Sequence, residues 1–436
     1  MAVAYKHSLR SIRVPHLKYT EDCAAVTMPV PQTVSISMSQ HMGPPCTPTV
    51  AVGDTVLVGQ VIGDSTAFLS APIHASVSGK VTAINDLVTA QGAVCKCVVI
   101  EADGEQTVDP SIAPPEIGDF DSFIKAVRAS GLVGLGGAGF PTHVKLNPKN
   151  RAEIDTLLVN GAECEPFITS DYRTMMDDTD DVVDGIRQVL AHTGIPKAVI
   201  GIEDNKPKAI DKLKKAVAGM PIEVLPLRAT YPKGAEKVLI YEATGRVVPE
   251  GKLPSDVNTI VMNVGSAAFL SRYLKTGMPL VSKKITVAGN AVAKPQNVIV
   301  PIGTAFQDIF DFCGGFREEP DKVLMGGPMM GIAVHDLQAP LLKNNNAILA
   351  STTAEMPVYE ETACIRCGRC VRACPFLLMP AAIERAYESR NVELLKELKV
   401  NLCMECGCCA YSCPARRHLV TTNKLAKQLL REQGKK

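Results

Sequence analysis

The sequence predicts a multidomain chain of mixed α/β and α+β class. Three observations predict it. The chain has 436 residues, which at roughly 100–200 residues per domain gives two to four domains. Its apolar periodicity changes twice, from short strand-and-turn segments to strands alternating with helices, and back again. Nine of its 15 cysteines crowd between Cys364 and Cys413, which sets off a metal-binding segment.

The elements follow in chain order. Residues 1–28 read as an irregular arm. Residues 29–118 form the next unit, with short strands at 50–52, 56–58, 77, 80–84 and 97–100. Gly53-Asp54, Gly59, Gly63-Asp64 and Ser78-Gly79 punctuate them. Residues 109–119, rich in Pro and acids, are a linker. In residues 119–282, Phe123, Ile124, Val127 and Leu132 recur at helical spacing. A strand is expected at 154–159, a helix at 182–190, a strand at 198–202 and a helix at 210–217. That alternation implies a parallel sheet with both faces covered. Residues 283–354 return to strand signals at 285–287 and 298–300, with turns at Gly289-Asn290, Gly314-Gly315 and Gly326-Gly327. Residues 355–436 carry the cysteines, with helical patterns at 381–398 and 423–431.

Composition excludes several functions. Charge nearly cancels, 46 Lys plus Arg against 45 Asp plus Glu, so no basic nucleic-acid footprint exists at whole-chain level. There is no Trp and aromatics are 5%, which argues against single-strand binding by stacking. No apolar run reaches the length of a membrane span. Met1 to Thr20 lacks an apolar signal core, so the expected location is cytoplasmic.

The cysteines follow a repeated pattern. Cys364-x-x-Cys367-x-x-Cys370-x-x-x-Cys374-Pro375 recurs as Cys403-x-x-Cys406-x-x-Cys409-x-x-x-Cys413-Pro414. Both copies resemble the run of bacterial two-cluster ferredoxins, where the fourth cysteine of each run ligates the other cluster. The expected sets are therefore Cys364, Cys367, Cys370 and Cys413 for one 4Fe–4S cluster, and Cys403, Cys406, Cys409 and Cys374 for the other. Three thiolates on a tight loop reach three corners of a cube, and the fourth arrives from elsewhere. Structural zinc is the competing reading, but it favours paired knuckles over a triple run ending in Cys-Pro. Cys408 fits neither set and reads as a packed thiol. Residues 361–436 hold 14 Lys plus Arg and 7 Asp plus Glu. Two clusters at about −2 each leave this segment near +3. Balancing the cluster charge and docking an acidic redox partner both fit.

Gly134-Leu-Gly136-Gly137-Ala-Gly139 matches G-x-G-x-x-G. A dinucleotide fingerprint should follow a strand and open a helix. Here a helical pattern precedes the glycines and Phe140-Pro141 follows, so that reading fails. The glycines still let backbone approach a ligand closely, and Lys145 stands near enough to neutralise a phosphate.

The stretch Gly131-Leu-Val-Gly134-Leu-Gly-Gly-Ala-Gly-Phe140-Pro-Thr-His-Val-Lys145 resembles the flavin loop of the complex I flavoprotein subunit. Asn160-Gly-Ala-Glu163-Cys-Glu165-Pro166, Tyr231-Pro-Lys-Gly234-Ala-Glu236 and Asn263-Val264-Gly-Ser266 resemble its later segments, in the same order. Three further stretches narrow the match: Gln40-His41-Met-Gly43-x-Pro45, Ala71-Pro72-Ile-His74-Ala-Ser-Val-Ser-Gly79-Lys80 and Gly326-Gly327-Pro328-Met329-Met330-Gly331. With the ferredoxin-like end, the chain resembles the RnfC/RsxC family, NADH-facing subunits of Rnf electron-transport complexes.

That resemblance implies four parts. They are a barrel-sandwich module like biotinyl and lipoyl domains, a Rossmann-like FMN/NADH domain, a β-grasp (SLBB-like) domain and a two-cluster ferredoxin-like domain. It implies non-covalent FMN held by Gly134, Gly136, Gly137, Lys145, Asn160, Glu163, Gly234, Asn263 and Ser266. It puts Phe140, Glu165 and Glu236 on the side of NAD(H), the substrate. Leu135 and Ala162 stand where the complex I flavoprotein has Arg and Asp. The segment 64–70 lacks the Lys of a carrier domain, so the barrel reads as a structural or docking module. His41, His74, Cys95, Cys97 and Cys164 read as ordinary packing residues.

The implied function is electron passage between NAD(H), FMN and two 4Fe–4S clusters, with FMN carrying the chemistry and no side chain acting as acid or base. Its implied partners are the other subunits of the membrane complex, an iron–sulfur subunit among them. The implied location is peripheral, on the cytoplasmic face of the cell membrane. A cobalamin-reductase-like flavoprotein and an electron-wire or assembly subunit without flavin are the alternatives.

Overall fold

A computed structural model describes residues 7–90 and 92–433. Residues 1–6 of the expected arm, Gln91 and residues 434–436 lie outside the described residues.

Four sheets organise the chain. In the barrel module, Thr33–Ser37, Val94–Ala102, Gly79–Val88 and Thr55–Val56 form an antiparallel sheet in that order. Thr47–Pro48, Val61–Asp64 and Ile73–His74 form a second, three-stranded sheet. Their inward residues, Val34, Ile36, Ile62, Ile73, Val81, Val98 and Ile100, close a common core. Residues 50–52, expected as a strand, turn instead. The Asp54 carboxylate accepts from Ala51 N at 2.8 Å, and this side-chain turn wins over strand propensity.

The α/β unit has a parallel sheet in the order Ile222–Leu227, Ala198–Glu203, Thr156–Asn160, Thr259–Asn263. Leu157 and Val159 face one layer of helices, including Thr179–Thr193 and Val264–Thr276. Leu158 faces the other side with Leu239 and Ile240 of the helix Glu236–Thr244. Burial on both faces explains why these strands read as continuous apolar runs. The chain passes from Thr156–Asn160 outward through two strands, then returns to its other side as Thr259–Asn263. The switch point of such sheets, at the carboxyl ends of the strands, is where ligands bind. Asn160 and Asn263 are paired in register at that point.

The third unit is a six-stranded sheet ordered Val26–Thr27, Gln296–Pro301, Ser282–Ala288, Ala347–Ser351, Lys322–Met325, Ile332–Val334. The helix Phe306–Phe312 buries Phe306, Ile309 and Phe310 against it. Its edge strand comes from the N-terminal arm, with Val26 in register with Val298.

The cysteine segment is helical. The expected single helix at 381–398 is two, Pro380–Glu388 and Val392–Glu397. Arg390 takes φ 51°. The Asn391 side chain then accepts from Leu394 N at 3.0 Å and caps the second helix. The last helix, Leu419–Gln433, packs on Pro380–Glu388 through Ala426, Ile383 and Ala386. Among the described residues no helix is long and apolar enough to cross a membrane.

Candidate functional site

Two cavities lie in the cysteine segment. Cys364, Cys367, Cys370 and Cys413 line one. Cys374, Cys403, Cys406 and Cys409 line the other, with Cys408. This is the crossed grouping expected from the spacing. Both runs use left-handed backbone at equivalent places, Arg366 and Gly368 in the first, Glu405 and Gly407 in the second. These turns wrap each loop around its cavity. Four thiolates around one void are the donor set of a 4Fe–4S cluster, so the residues fit that group. The surroundings differ. Cys364 and Cys367 are exposed, whereas Cys406 and Cys409 are buried. Asn423 Nδ2 donates to Cys403 Sγ at 3.4 Å. Cys408 is almost fully buried, its Sγ 4.0 Å from Tyr231 O.

The second group of candidates meets at the switch point of the parallel sheet. The glycine loop closes through Gly134 N to Phe140 O at 2.9 Å. Leu135 N donates to Ser266 Oγ at 3.3 Å. A Cβ on Gly136 would sit 2.6 Å from Asn263 Nδ2, so only glycine lets the loop lie on that side chain. A Cβ on Gly137 would meet open space, which leaves room for a ligand over the loop. Asn263 donates to Asp171 Oδ2 at 2.7 Å, and its Oδ1 accepts from Gly265 N to cap the helix behind it. Asn160 Nδ2 donates to Gly234 O at 2.8 Å, which draws the 231–234 segment to the same edge. The cradle of small residues, amides and hydroxyls fits a flavin mononucleotide.

The remaining candidates take up defined positions. Lys145 pairs with Glu236 at 3.3 Å and lies 5.9 Å from the Phe140 ring centre, so these three stand together. The Glu163 carboxylate accepts from Asp171 N at 2.6 Å and Tyr172 N at 3.1 Å, at the start of the helix Ser170–Asp177. Glu165 Oε2 accepts from Met329 N at 3.0 Å, under the Gly326–Gly331 turn. Its Oε1 is shut off from water without a partner. Burial pushes both carboxyls up, to about 7.

Sequence reasoning did not single out the cations that brace the pocket. Lys283 Nζ, from the β-grasp unit, donates to Leu135 O at 2.7 Å. Lys206 Nζ donates to Ala162 O at 2.8 Å and Glu203 Oε2 at 3.0 Å. Leu135 and Ala162 are the two positions that depart from the complex I pattern, and each is held by its carbonyl. Because a trans peptide is planar, fixing Leu135 O turns the Gly136 amide to the opposite side. Lys343 Nζ joins three units through Pro72 O and Gly131 O, at 2.7 and 2.8 Å. Lys18 Nζ donates to the carbonyls of Glu163, Glu165 and Ile168. Asp171, the acceptor for Asn263, was likewise missed. Nothing in local spacing marks these residues, since a lysine bonded to carbonyls leaves no pattern.

The two sites adjoin. Gly234 N donates to Cys164 Sγ at 3.4 Å. Tyr231 packs with Cys406, Cys408, Cys164 and Met329 in one apolar cluster. A Cβ on Gly407 would lie 2.8 Å from Met329 O. The set containing Cys406 therefore adjoins the 231–234 edge of the flavin pocket.

Four family models match successive stretches of the chain. Residues 8–105 match the RnfC barrel sandwich hybrid domain, taking in most of the arm. Residues 127–272 match the Nuo51 FMN-binding domain, 284–333 the SLBB domain and 356–414 the 4Fe-4S dicluster domain. The chain is 44% identical to the C component of the proton-translocating ferredoxin:NAD(+) oxidoreductase complex of Clostridium ljungdahlii, over 84% of this chain and 81% of that one. It is 45% identical to the Na(+)-translocating counterpart of Acetobacterium woodii, over 83% and 82%. The C component of the ion-translocating oxidoreductase complex of Rhodobacter capsulatus is 37% identical, over 87% and 74%. Among solved structures, an NAD+-reducing [NiFe]-hydrogenase in the air-oxidized state superposes with a TM-score of 0.50. That match is 18% identical and covers 72% of this chain and 63% of the hydrogenase chain, so it supports the fold alone. On identity and coverage together, the chain belongs to the RnfC family of ion-translocating ferredoxin:NAD+ oxidoreductase complexes.

Proposed function

We propose that this chain is the NAD(H)-facing flavin and iron–sulfur subunit of such a complex. The supporting observation is the adjacency just described: the 231–234 segment meets the glycine-loop cradle through Asn160 and packs against Cys406 and Cys408 of the second-run cysteine set through Tyr231.

Bound FMN supplies the exchange between a hydride, two electrons at once, and clusters that take one at a time. The chain's own residues bind and orient. Gly134, Gly136 and Gly137 keep the loop backbone within reach of the ring and its phosphate, with Ser266 behind them. Asn160, Gly234 and Asn263 form the floor. Glu163 fixes the adjoining helix start. Lys145 offers a charge for a phosphate, at the expense of its ion pair with Glu236. Phe140 offers a ring face to the nicotinamide nucleotide, with Glu165 and Glu236 as hydrogen-bond acceptors. Cys403, Cys406, Cys409 and Cys374 would hold the cluster nearer the flavin. Cys364, Cys367, Cys370 and Cys413 would hold the outer one. No side chain is required as acid or base.

The working parts are the arm 1–28, the barrel module 29–118, the FMN/NADH unit 119–282, the β-grasp unit 283–354 and the cluster unit 355–436. The chain sits peripherally on the cytoplasmic face of the membrane, docked to the other subunits of the complex, and ion translocation belongs to them.

The test is an anaerobic absorbance spectrum of the purified chain with and without NADH, alongside FMN and iron analysis. Bleaching of flavin bands and about eight irons per chain are expected. Cluster absorbance without flavin, and no response to NADH after FMN is supplied, would leave an electron wire and sink the proposal.

A further inference from the structure

We propose that Lys18, in the N-terminal arm, is a positioning residue for the nucleotide side of the pocket, holding the 163–168 loop on the path that places Glu165 there. This deepens the function proposed above and rests on it.

The geometry carries the argument. An ammonium has three protons, and all three are committed to one loop. Lys18 Nζ donates to Glu163 O at 2.9 Å, Glu165 O at 2.8 Å and Ile168 O at 2.5 Å. An ammonium withdrawn from water normally finds a carboxylate. Here its direct partners are carbonyls, so its specific contribution is the course of the backbone.

That course needs holding. Glu163 has φ 46° and Phe167 has φ 68°. Neither is glycine, and such left-handed residues persist only where their surroundings over-determine them. The arm supplies further ties along the same stretch. Phe167 N donates to His16 O at 3.0 Å. Thr20 Oγ1 and Thr169 Oγ1 lie 2.6 Å apart. The arm thus runs beside the loop and fastens its later end at Phe167 and Thr169, while Lys18 reaches back to Glu163 and Glu165.

Lys18 has no bond to the glycine side of the pocket. Gly134 to Gly137 are braced instead by Ser266, Lys283 and Asn344. Lys18 touches the flavin side through the Glu163 carbonyl alone, and the Glu163 carboxylate is held separately by Asp171 N and Tyr172 N. Loss of Lys18 should therefore disturb nucleotide recognition more than flavin retention.

The experiment uses the full chain, purified anaerobically, as wild type, Lys18→Met and Lys18→Arg. FMN per chain, NADH KM and kcat with a one-electron acceptor, and amide hydrogen exchange across 163–170 are measured. For Lys18→Met, KM should rise about 10-fold or more while kcat stays within about 3-fold and FMN content within about 2-fold. Exchange at 163–170 should quicken about 10-fold or more, without the same change in the parallel sheet. Lys18→Arg, whose planar guanidinium cannot place three donors at one point, should fall between the two. If Lys18→Met does not fold, Lys18→Arg alone decides: unchanged KM together with unchanged loop exchange overturns the proposal. So does a parallel fall in kcat, FMN and protection everywhere, the signature of general destabilisation. A wild-type chain that takes up no FMN or ignores NADH defeats the function proposed above, while the exchange comparison still tests the hold of Lys18 on the loop.

Discussion

The cluster segment and the flavin pocket each prepare a place for a redox group, and they do so in opposite ways. All eight proposed cluster ligands fall in one stretch between Cys364 and Cys413, and two copies of one local turn bring them together. The flavin pocket draws on the glycine loop, three strand ends, the N-terminal arm and the β-grasp unit. The first site is specified by ligand chemistry, the second by carbonyls held from a distance. A ligand site should therefore fail one cluster at a time, whereas the pocket should fail by degrees.

The largest effect expected is on the crossed ligation. Cys374→Ser removes a residue of the first run, yet iron should drop from about eight to about four per chain by loss of the cluster held by the second run. Iron analysis with electron paramagnetic resonance checks this. Retention of the second-run signal with loss of the first would break the crossing.

Next comes Gly136→Ala, whose Cβ would press on Asn263 Nδ2 at 2.6 Å. FMN affinity should weaken about 10-fold to 100-fold, roughly 1.4–2.8 kcal/mol, with iron content intact. Fluorescence titration reads it. Equal loss of iron would show that the two sites are not independent.

Cys408→Ala tests the shared wall. Removing a sulfur packed under Tyr231 should cost about 1 kcal/mol of stability, lowering the melting temperature by a few degrees while about eight irons remain. Loss of iron would make Cys408 a ligand after all.

The smallest effect is a pH slope. Burial lowers Lys283 to about 8 and Lys343 to about 7, from 10.5. Between those values and 10.5 each of these lysines binds more protons in the unfolded chain than in the folded one, so their contribution to stability should rise with pH from about 7 to 9. The raised Glu163 and Glu165 oppose this up to about 7. The buried Cys46 and Cys97 thiols, pushed up to about 11 and about 12, oppose it as pH nears 9. The lysine contribution is therefore read as the difference between wild type and variant. Lys343→Met should flatten the slope, as thermal melts at pH 7, 8 and 9 would show. An unchanged slope would mean that Lys343 stays protonated in the folded chain across this range, as a solvated lysine does.

Much of this was legible in the sequence, and the rest was not, for physical reasons. The cysteine runs were legible because a cluster restricts its ligands to one residue type at set intervals. The parallel sheet was legible because burial on both faces makes strands such as Thr156–Asn160 uniformly apolar. Asn160 and Asn263 could be named through resemblance, but only register shows them side by side at the switch point. The helix break before Val392 had a local signal, Asn391 as a cap, that the apolar periodicity of 381–398 obscured. Lys18, Lys206, Lys283 and Lys343 had none, because the carbonyls they hold belong to every residue alike. Glu163 was expected beside flavin, and its carboxylate is instead engaged at a helix start, a placement set by the left-handed turn at that residue.

The arm that braces the pocket also sets a timetable. Thr20, two residues after Lys18, has its carbonyl held by Asn297, 277 residues further along the chain. At about 5–20 residues per second, a ribosome needs roughly 14–55 s to travel that far. For most of that interval the arm lacks this anchor, and the parallel sheet beside it closes only when Thr259–Asn263 has been made. The arm's seat beside the 163–168 loop is thus completed late in synthesis, when the six-stranded sheet accepts Val26 and Thr27 as its edge strand.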